Sequence, residues 1–290
     1  MSKIIDALSE ISQNYDALFV DLWGCMHNGI EPFADAVAAM QKFREGGGAV
    51  VYVTNAPRHK TSVEQQLLKI GVAPDAHDEI ATSGDSARLA LYRGAVGDKV
   101  YFIGQKHDQS FFDPLKIVED PVEIEQVPLE QADGIVCAGP EDPLADPDVY
   151  RPDFLYAKQK GLKLLCANPD IVVDRGEVRE WCAGALAKLY TEMGGESLYF
   201  GKPHPPIYDL ARRRLSALGK DVPDSRILAI GDGVLTDIRG AMGEDLDSLF
   251  ISGGLAAQVT KTSHSPDPDA LSTYLEKEIV NPTYTIGKLR

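Results

Sequence analysis

No run of this chain is apolar and uncharged for long enough to cross a bilayer as a helix. Basic residues are outnumbered, with 29 Lys and Arg against 44 Asp and Glu, a net charge of -15. Such a chain is repelled by phosphate backbones, and it carries no basic stripe, so nucleic acid is not an expected partner. An anionic substrate would need a locally positive pocket. Cysteine is scarce: the four stand at 25, 137, 166 and 182, with no C-x-x-C pair, so a structural zinc site is not expected. They lie in apolar or small-residue stretches and read as free thiols of a reducing cytoplasm; Cys25 reads as a packing residue. The first ten residues carry acids and lack the basic start and apolar centre of a signal peptide. They are expected to form a short amphipathic helix with Ile4, Ile5 and Leu8 on its apolar side. Internal repeats and low-complexity tracts are also missing. What is present is ordinary for a globular protein: 290 residues, 44% hydrophobic and 25% charged, enough for two modest domains or one large one.

Strand and helix signals alternate, which predicts a parallel sheet covered by helices. The run Ala17-Leu18-Phe19-Val20 is a short buried strand that ends on Asp21, and Asn28-Gly29 marks a turn soon after. A helix follows Pro32 with Phe33, Val37, Met40 and Phe43 on one face, and Gly46-Gly47-Gly48 stops it. Ala49 to Val53 is the next strand, closed by Thr54-Asn55; Thr61 and Glu64 form a capping box for another helix. From Lys99 to Ala167 the pattern changes to short strands separated by acidic, proline-rich loops. This predicts a second α/β unit, residues 81–180, inserted into a first made of residues 1–80 and 181–290. The first fold is expected to resume near Trp181. Arg226 to Ile230 is a strong buried strand delivering Gly231-Asp232-Gly233, and Ser248 to Ser252 is expected to be the last core strand.

Asp21, Thr54-Asn55, Lys202 and Asp232 each follow a β-rich run. In a doubly wound sheet all of them converge on the edge where ligands bind. Two carboxylates there can hold a magnesium ion, which prefers oxygen ligands. A lysine, a hydroxyl and backbone N–H groups can hold a phosphate. One carboxylate can attack phosphorus to form an aspartyl-phosphate.

This ordered set resembles the haloacid dehalogenase superfamily. The matching runs are Asp21-Leu22-Trp23-Gly24, Val53-Thr54-Asn55, Gly201-Lys202-Pro203 and Gly231-Asp232-Gly233-Val234-Leu235-Thr236-Asp237. Ile80 to Gly84, Ala167-Asn168-Pro169-Asp170 and the long insert are similar to the class IIA branch of phosphatases. The resemblance implies a Rossmann-like, doubly wound core with an inserted α/β cap, acting on a small phosphorylated metabolite with Mg2+. It implies that Asp21 is nucleophile and metal ligand, that Asp232 and the Trp23 carbonyl complete the protein ligands, and that Asp237 orients water around the ion. Thr54, Asn55 and Lys202 would hold the phosphoryl group, and Asn168 and Asp170 in the cap would select the substrate. Caps of this class often mediate dimers, so a homodimer is expected.

The departure is Trp23. Phosphatases of this family place an acid–base aspartate there, and an indole N–H offers no usable acid–base function. General acid–base catalysis is typically worth about 10²–10⁴ in rate, so low activity is expected. His27, in the following loop, is the nearest substitute by pKa; its other reading is a bystander of the loop. Two alternatives to a phosphatase stand beside it: a catalytically impaired protein that binds a phosphometabolite, and a dehalogenase.

Overall fold

The computed structural model describes residues 2–113, 120–175 and 178–290. In chain order the strands and α-helices are β1 (Lys3–Ile4), β2 (Ala17–Val20), α1 (Ala34–Glu45), β3 (Ala49–Thr54), α2 (Lys60–Ile70), β4 (Glu79–Thr82), α3 (Ser83–Leu91), β5 (Lys99–Ile103), β6 (Glu125–Gln126), β7 (Gly134–Cys137), α4 (Arg151–Lys160), β8 (Lys163–Cys166), β9 (Val172–Arg175), β10 (Val178–Trp181), α5 (Ala183–Glu192), β11 (Glu196–Tyr199), α6 (Pro205–Ala217), β12 (Ile227–Gly231), α7 (Arg239–Gly243), β13 (Asp247–Ile251), α8 (Pro268–Glu278) and β14 (Tyr284–Ile286). The chain divides into two compact units. One is Met1–Thr54, Glu64–Ala81 and Lys202–Arg290; the other is Asn55–Val63 and Thr82–Gly201.

The first unit is built on a seven-stranded sheet in the order β1-β14-β13-β12-β2-β3-β4. The pairings from β1 through β3 are all parallel. Every residue of β2, β3 and β12 is buried, as expected of central parallel strands covered on both faces. Alternate residues divide between the faces. Phe19, Val51, Ile227 and Ala229 pack with Ile207, Ala211 and Leu215 of α6, whose spacing of four residues makes one helical stripe. Phe250 of β13 packs with Leu271 and Leu275 of α8. From β2 the chain moves outward to β3 on one side, while β12 flanks β2 on the other. The strand order therefore switches between β2 and β12, which is where a doubly wound sheet opens a crevice at its carboxyl edge.

Two expectations for this unit change. Residues 3–4 are not helical but pair in parallel with β14, Lys3 opposite Tyr284 and Ile4 opposite Thr285. Only Leu8–Glu10 turn, as one short 3-10 segment. The open edge of β14 supplies hydrogen bonds to residues 3–4, and Ile5 and Leu8 are still buried. Nor is β13 the last core strand, because β14 and β1 extend the sheet beyond it. Strands of three and two residues are too short to leave an alternation in the sequence.

The second unit has its own parallel sheet, β11-β8-β7-β5-β6, and an antiparallel pair of β9 and β10. Ile135, Cys137, Leu164 and Cys166 pack with Phe154 of α4 and Leu186 and Tyr190 of α5. Val136 and Leu165 face the other way, with Ala87 and Leu91 of α3. Here the boundary expected near Trp181 is corrected. α5 and β11 belong to this unit, since β11 pairs with β8 from Glu196–Lys163 to Tyr199–Cys166. The chain re-enters the first unit only at Lys202. The helix–strand pattern of residues 183–199 suits either sheet; the open edge of β8 decides between them.

Candidate active site

Asp21 extends β2 by one residue: its N–H donates to the Ile230 carbonyl of β12 at 2.8 Å. Val20 pairs with Tyr52, so the same edge carries Thr54 at the end of β3. Asp232 follows the end of β12. Asp237 is presented by a π turn, Val234–Ile238, in which both Asp237 and Ile238 donate their N–H groups to the Gly233 carbonyl. Such turns are frequent at functional sites.

Lys202 ties these carboxylates together. Its ammonium donates to Asp21 Oδ1 at 2.5 Å and to Asp237 Oδ1 at 2.7 Å. The lysine is only 4% exposed. Burial alone would discharge it, but Asp21 and Asp237 more than offset that and hold its pKa well above the usual lysine value. Asp237 Oδ2 also accepts the Gly233 N–H at 3.0 Å. Burial raises its pKa to about 6, although Lys202 and the Gly233 N–H pull it down. Asp232 is raised well above the carboxylate range, first by burial and then by the charges of Asp21 and Asp237. Against this, Asp232 Oδ2 accepts one N–H, from Leu255 at 3.0 Å.

Three buried carboxylates thus meet one ammonium in this cluster. The donor atoms of Asp21, Cys25 and Asp232 all lie within 4.8 Å of one another. An excess of buried negative charge with oxygen donors fits a divalent cation, which would offset the repulsion and desolvation that raise Asp232. Asp21 and Asp232 are therefore the side chains suited to holding one.

Backbone packing shapes this corner. A Cβ added at Gly24 would stand 2.3 Å from Asp232 Oδ2, and one at Gly254 would stand 2.1 Å from the same atom. A Cβ at Gly231 would come within 2.1 Å of the Asp237 carboxyl carbon. Glycine is required at these places because the backbone lies directly against the carboxylates. Gly254 and the Leu255 N–H were not foreseen from the sequence. The Gly253-Gly254 pair, one residue beyond the end of β13, was the signal available, since that strand ends at the same sheet edge. Cys25 was foreseen as packing alone, but its Sγ lies 3.9 Å from Asp21 Oδ2 as donor. Burial and the neighbouring Asp232 and Asp21 keep that thiol well above its usual pKa.

The loop after Asp21 is closed on itself. Met26 and His27 donate backbone N–H groups to Leu22, and Gly24 donates to His27. The Trp23 indole lies on the backbone of Gly29, where a Cβ would be 2.5 Å from the ring, and meets the His27 ring edge-on at 5.2 Å between centroids. His27 Nδ1 accepts the Gly29 N–H at 3.0 Å. Burial lowers the pKa of His27 to about 4, so at neutral pH the ring is uncharged with its proton on Nε2. This geometry supports the loop-building reading of His27 over the acid–base one.

The remaining site residues sit in the second unit. Asn55 Nδ2 donates to Asp170 Oδ1 at 2.8 Å, and the Asp170 N–H donates to Asn168 Oδ1 at 3.0 Å. Gly201 is pressed against this group, for a Cβ there would be 2.4 Å from Asn55 Oδ1. The structure thus brings Asn55, Asn168 and Asp170 together in one network.

Residues 18–117 match the haloacid dehalogenase-like hydrolase family, and residues 199–277 match a second, HAD-hydrolase-like family. The crystal structure of a haloacid dehalogenase-like family hydrolase from Brucella suis 1330 is 38% identical, covering 99% of this chain and 100% of that one, with a TM-score of 0.85. A 5'-nucleotidase of Bacillus subtilis, YutF, is 24% identical over 96% of this chain and 97% of its own length. A glycerol phosphate phosphatase from Mycobacterium tuberculosis, solved in complex with magnesium, shares the fold at a TM-score of 0.68 and 24% identity, over 97% of this chain and 77% of that one. With its doubly wound core and the cluster of Asp21, Lys202, Asp232 and Asp237 at the carboxyl edge, the chain belongs to the haloacid dehalogenase-like hydrolase family.

Proposed function

We propose that the protein hydrolyses a small phosphate monoester through Asp21. The observation that carries this reading is the bridge of Lys202 between Asp21 and Asp237, with Asp232 beside it. Asp21, Asp232 and the Trp23 carbonyl would hold a magnesium ion, which supplies charge neutralisation and orientation for a bound phosphoryl group. Lys202 fixes Oδ1 of Asp21 and offsets charge on the attacking side. An Asp21 oxygen attacks phosphorus; the ester P–O bond breaks, and an aspartyl-phosphate and an alkoxide result. Water then attacks the phosphorus and releases phosphate, which restores the carboxylate. Thr54 contributes a hydroxyl to the phosphoryl oxygens. We assign Asn168 and Asp170 to framing Asn55, because Asp170 accepts from the Asn55 amide and Asn168 in turn accepts the Asp170 N–H.

Trp23 limits this chemistry. It cannot protonate the departing alkoxide, and His27 is neutral with Nδ1 already accepting from Gly29. Esters whose leaving groups need no proton are the preferred substrates. Trp23 is also the observation that favours a second reading, a phosphometabolite-binding protein with little turnover. Phosphate release from a panel of aryl and alkyl phosphates, with and without Mg2+, separates the two. Turnover of aryl esters that requires both Mg2+ and Asp21 supports the hydrolase. Saturable binding of phosphate esters with no release supports the binding protein.

A further inference from the structure

Hydrolysis as proposed makes no use of Cys25, although its thiol lies inside the carboxylate cluster. The side chain is buried, and Sγ is 3.9 Å from Asp21 Oδ2. Among the described residues, Asp21, Cys25 and Asp232 are the one set of three ligating side chains whose donor atoms converge in this way. Lys202 takes the other oxygen of Asp21, Oδ1, so Oδ2 is the oxygen turned towards the thiol.

A zinc ion binds thiolate sulfur at about 2.3 Å and carboxylate oxygen at about 2.0–2.2 Å. Those two reaches add to more than 3.9 Å, so a single ion can touch Sγ and Oδ2 together. The donor chemistry then decides which ion benefits. Magnesium takes hard oxygen ligands and gains nothing from sulfur. Thiolate ligands favour softer ions, and zinc stands far above magnesium for them.

We propose that Cys25 is a metal ligand, and that with Asp21 and Asp232 it lets this centre bind a zinc-class divalent ion in competition with magnesium. The proposal rests on the metal centre assigned above to Asp21 and Asp232. On binding, the S–H bond breaks, its proton leaves to water and a sulfur–metal bond forms; no oxidation state changes. Occupancy by such an ion opposes magnesium-dependent turnover, because both oxygens of Asp21 are then engaged.

Cobalt(II) substitutes for zinc and reports sulfur ligation directly. Titration of the whole protein with Co2+ should produce a sulfur-to-cobalt charge-transfer band in the near ultraviolet. Cys25→Ser and Asp232→Asn should each abolish that band, whereas Cys137→Ser, in the second sheet, should leave it. Zinc affinity, measured by competition with a chelating dye, should fall about 10–100-fold in Cys25→Ser, the scale of losing support at a metal site; the change for magnesium should be far smaller. Circular dichroism checks folding, and Cys25→Ala replaces the serine variant if that one unfolds. If neither folds, the band in the unaltered protein and its loss in Asp232→Asn still decide. A protein that binds Mg2+ but gives no cobalt–sulfur band, or whose zinc affinity is indifferent to Cys25, overturns the proposal and leaves the magnesium centre standing. Failure to bind any divalent ion overturns both.

Discussion

The two sheets of this chain are built alike and end differently. Both are parallel, and both bury their central strands on two faces. In the first, β2 and β12 end on Asp21 and Asp232, and the chain returns to the unit with Lys202. In the second, β7 and β8 end on Cys137-Ala138 and Cys166-Ala167, all buried and uncharged. The polar residues that follow β8, Asn168 and Asp170, bond to each other, and Asp170 also accepts from Asn55. Parallel strands offer a ligand edge wherever they end. Chemistry arises only where the residue after the strand is a charged group that the sheet can keep buried. The first sheet keeps its carboxylates buried by placing a lysine among them; the second has no charge to hold at its central strand ends.

Substitutions in the two sheets should therefore separate chemistry from scaffolding. The largest effect is expected from Asp21→Asn, which removes the nucleophile and should lower kcat/KM for an aryl phosphate by about 10⁴-fold or more. Cys166→Ser, at the equivalent end of β8, should have no comparable effect; similar losses in two folded variants would break the comparison. Next in size is Trp23→Asp. It should raise hydrolysis of an alkyl phosphate by about 10²–10⁴-fold, the worth of a positioned acid–base group, and should help a nitrophenyl ester less. A folded variant with no gain on any ester would point to the binding reading instead.

Asp232→Asn should weaken magnesium binding about 10–100-fold by calorimetry, and an unchanged affinity would mean that the centre lies elsewhere. The smallest effect concerns pH. His27 is depressed from 6.5 to about 4 by burial, so the unfolded chain binds its proton more readily. The stability it contributes is present above pH 6.5 and is lost as pH falls through about 4. Thermal melts between pH 7 and pH 4 should show a shallower acid loss in His27→Asn than in the original protein. An identical slope in both would show that His27 is not held neutral by the loop.

Much of the site was legible before any coordinates, for local reasons. A run such as Ala17 to Val20 announces a strand by its apolarity, and the acid that follows it must lie at the strand's end. The same logic placed Asp232 after β12 and Lys202 before α6, whose paired prolines mark a helix start. His27 was harder, because its standing depends on which group meets Nδ1. The Gly29 N–H that does so is set by the turn, and the lowered pKa follows from burial that no short segment encodes.

By itself the sequence determined the alternation of strand and helix, the identity of every carboxylate and the lysine at the sheet edge, and the absence of an acid at position 23. These depend on contacts within a few residues or on the side chain alone. Tertiary structure alone decided that α5 and β11 serve the second sheet, that residues 3–4 pair with β14, that Asn55 bonds to Asp170, and that the Cys25 thiol enters the cluster of Asp21 and Asp232. Each of these joins segments far apart in the chain, or turns a side chain towards one of two available faces. The choice is made by which open strand edge, buried charge or hydrogen-bonding group is left to satisfy once the rest of the chain has packed.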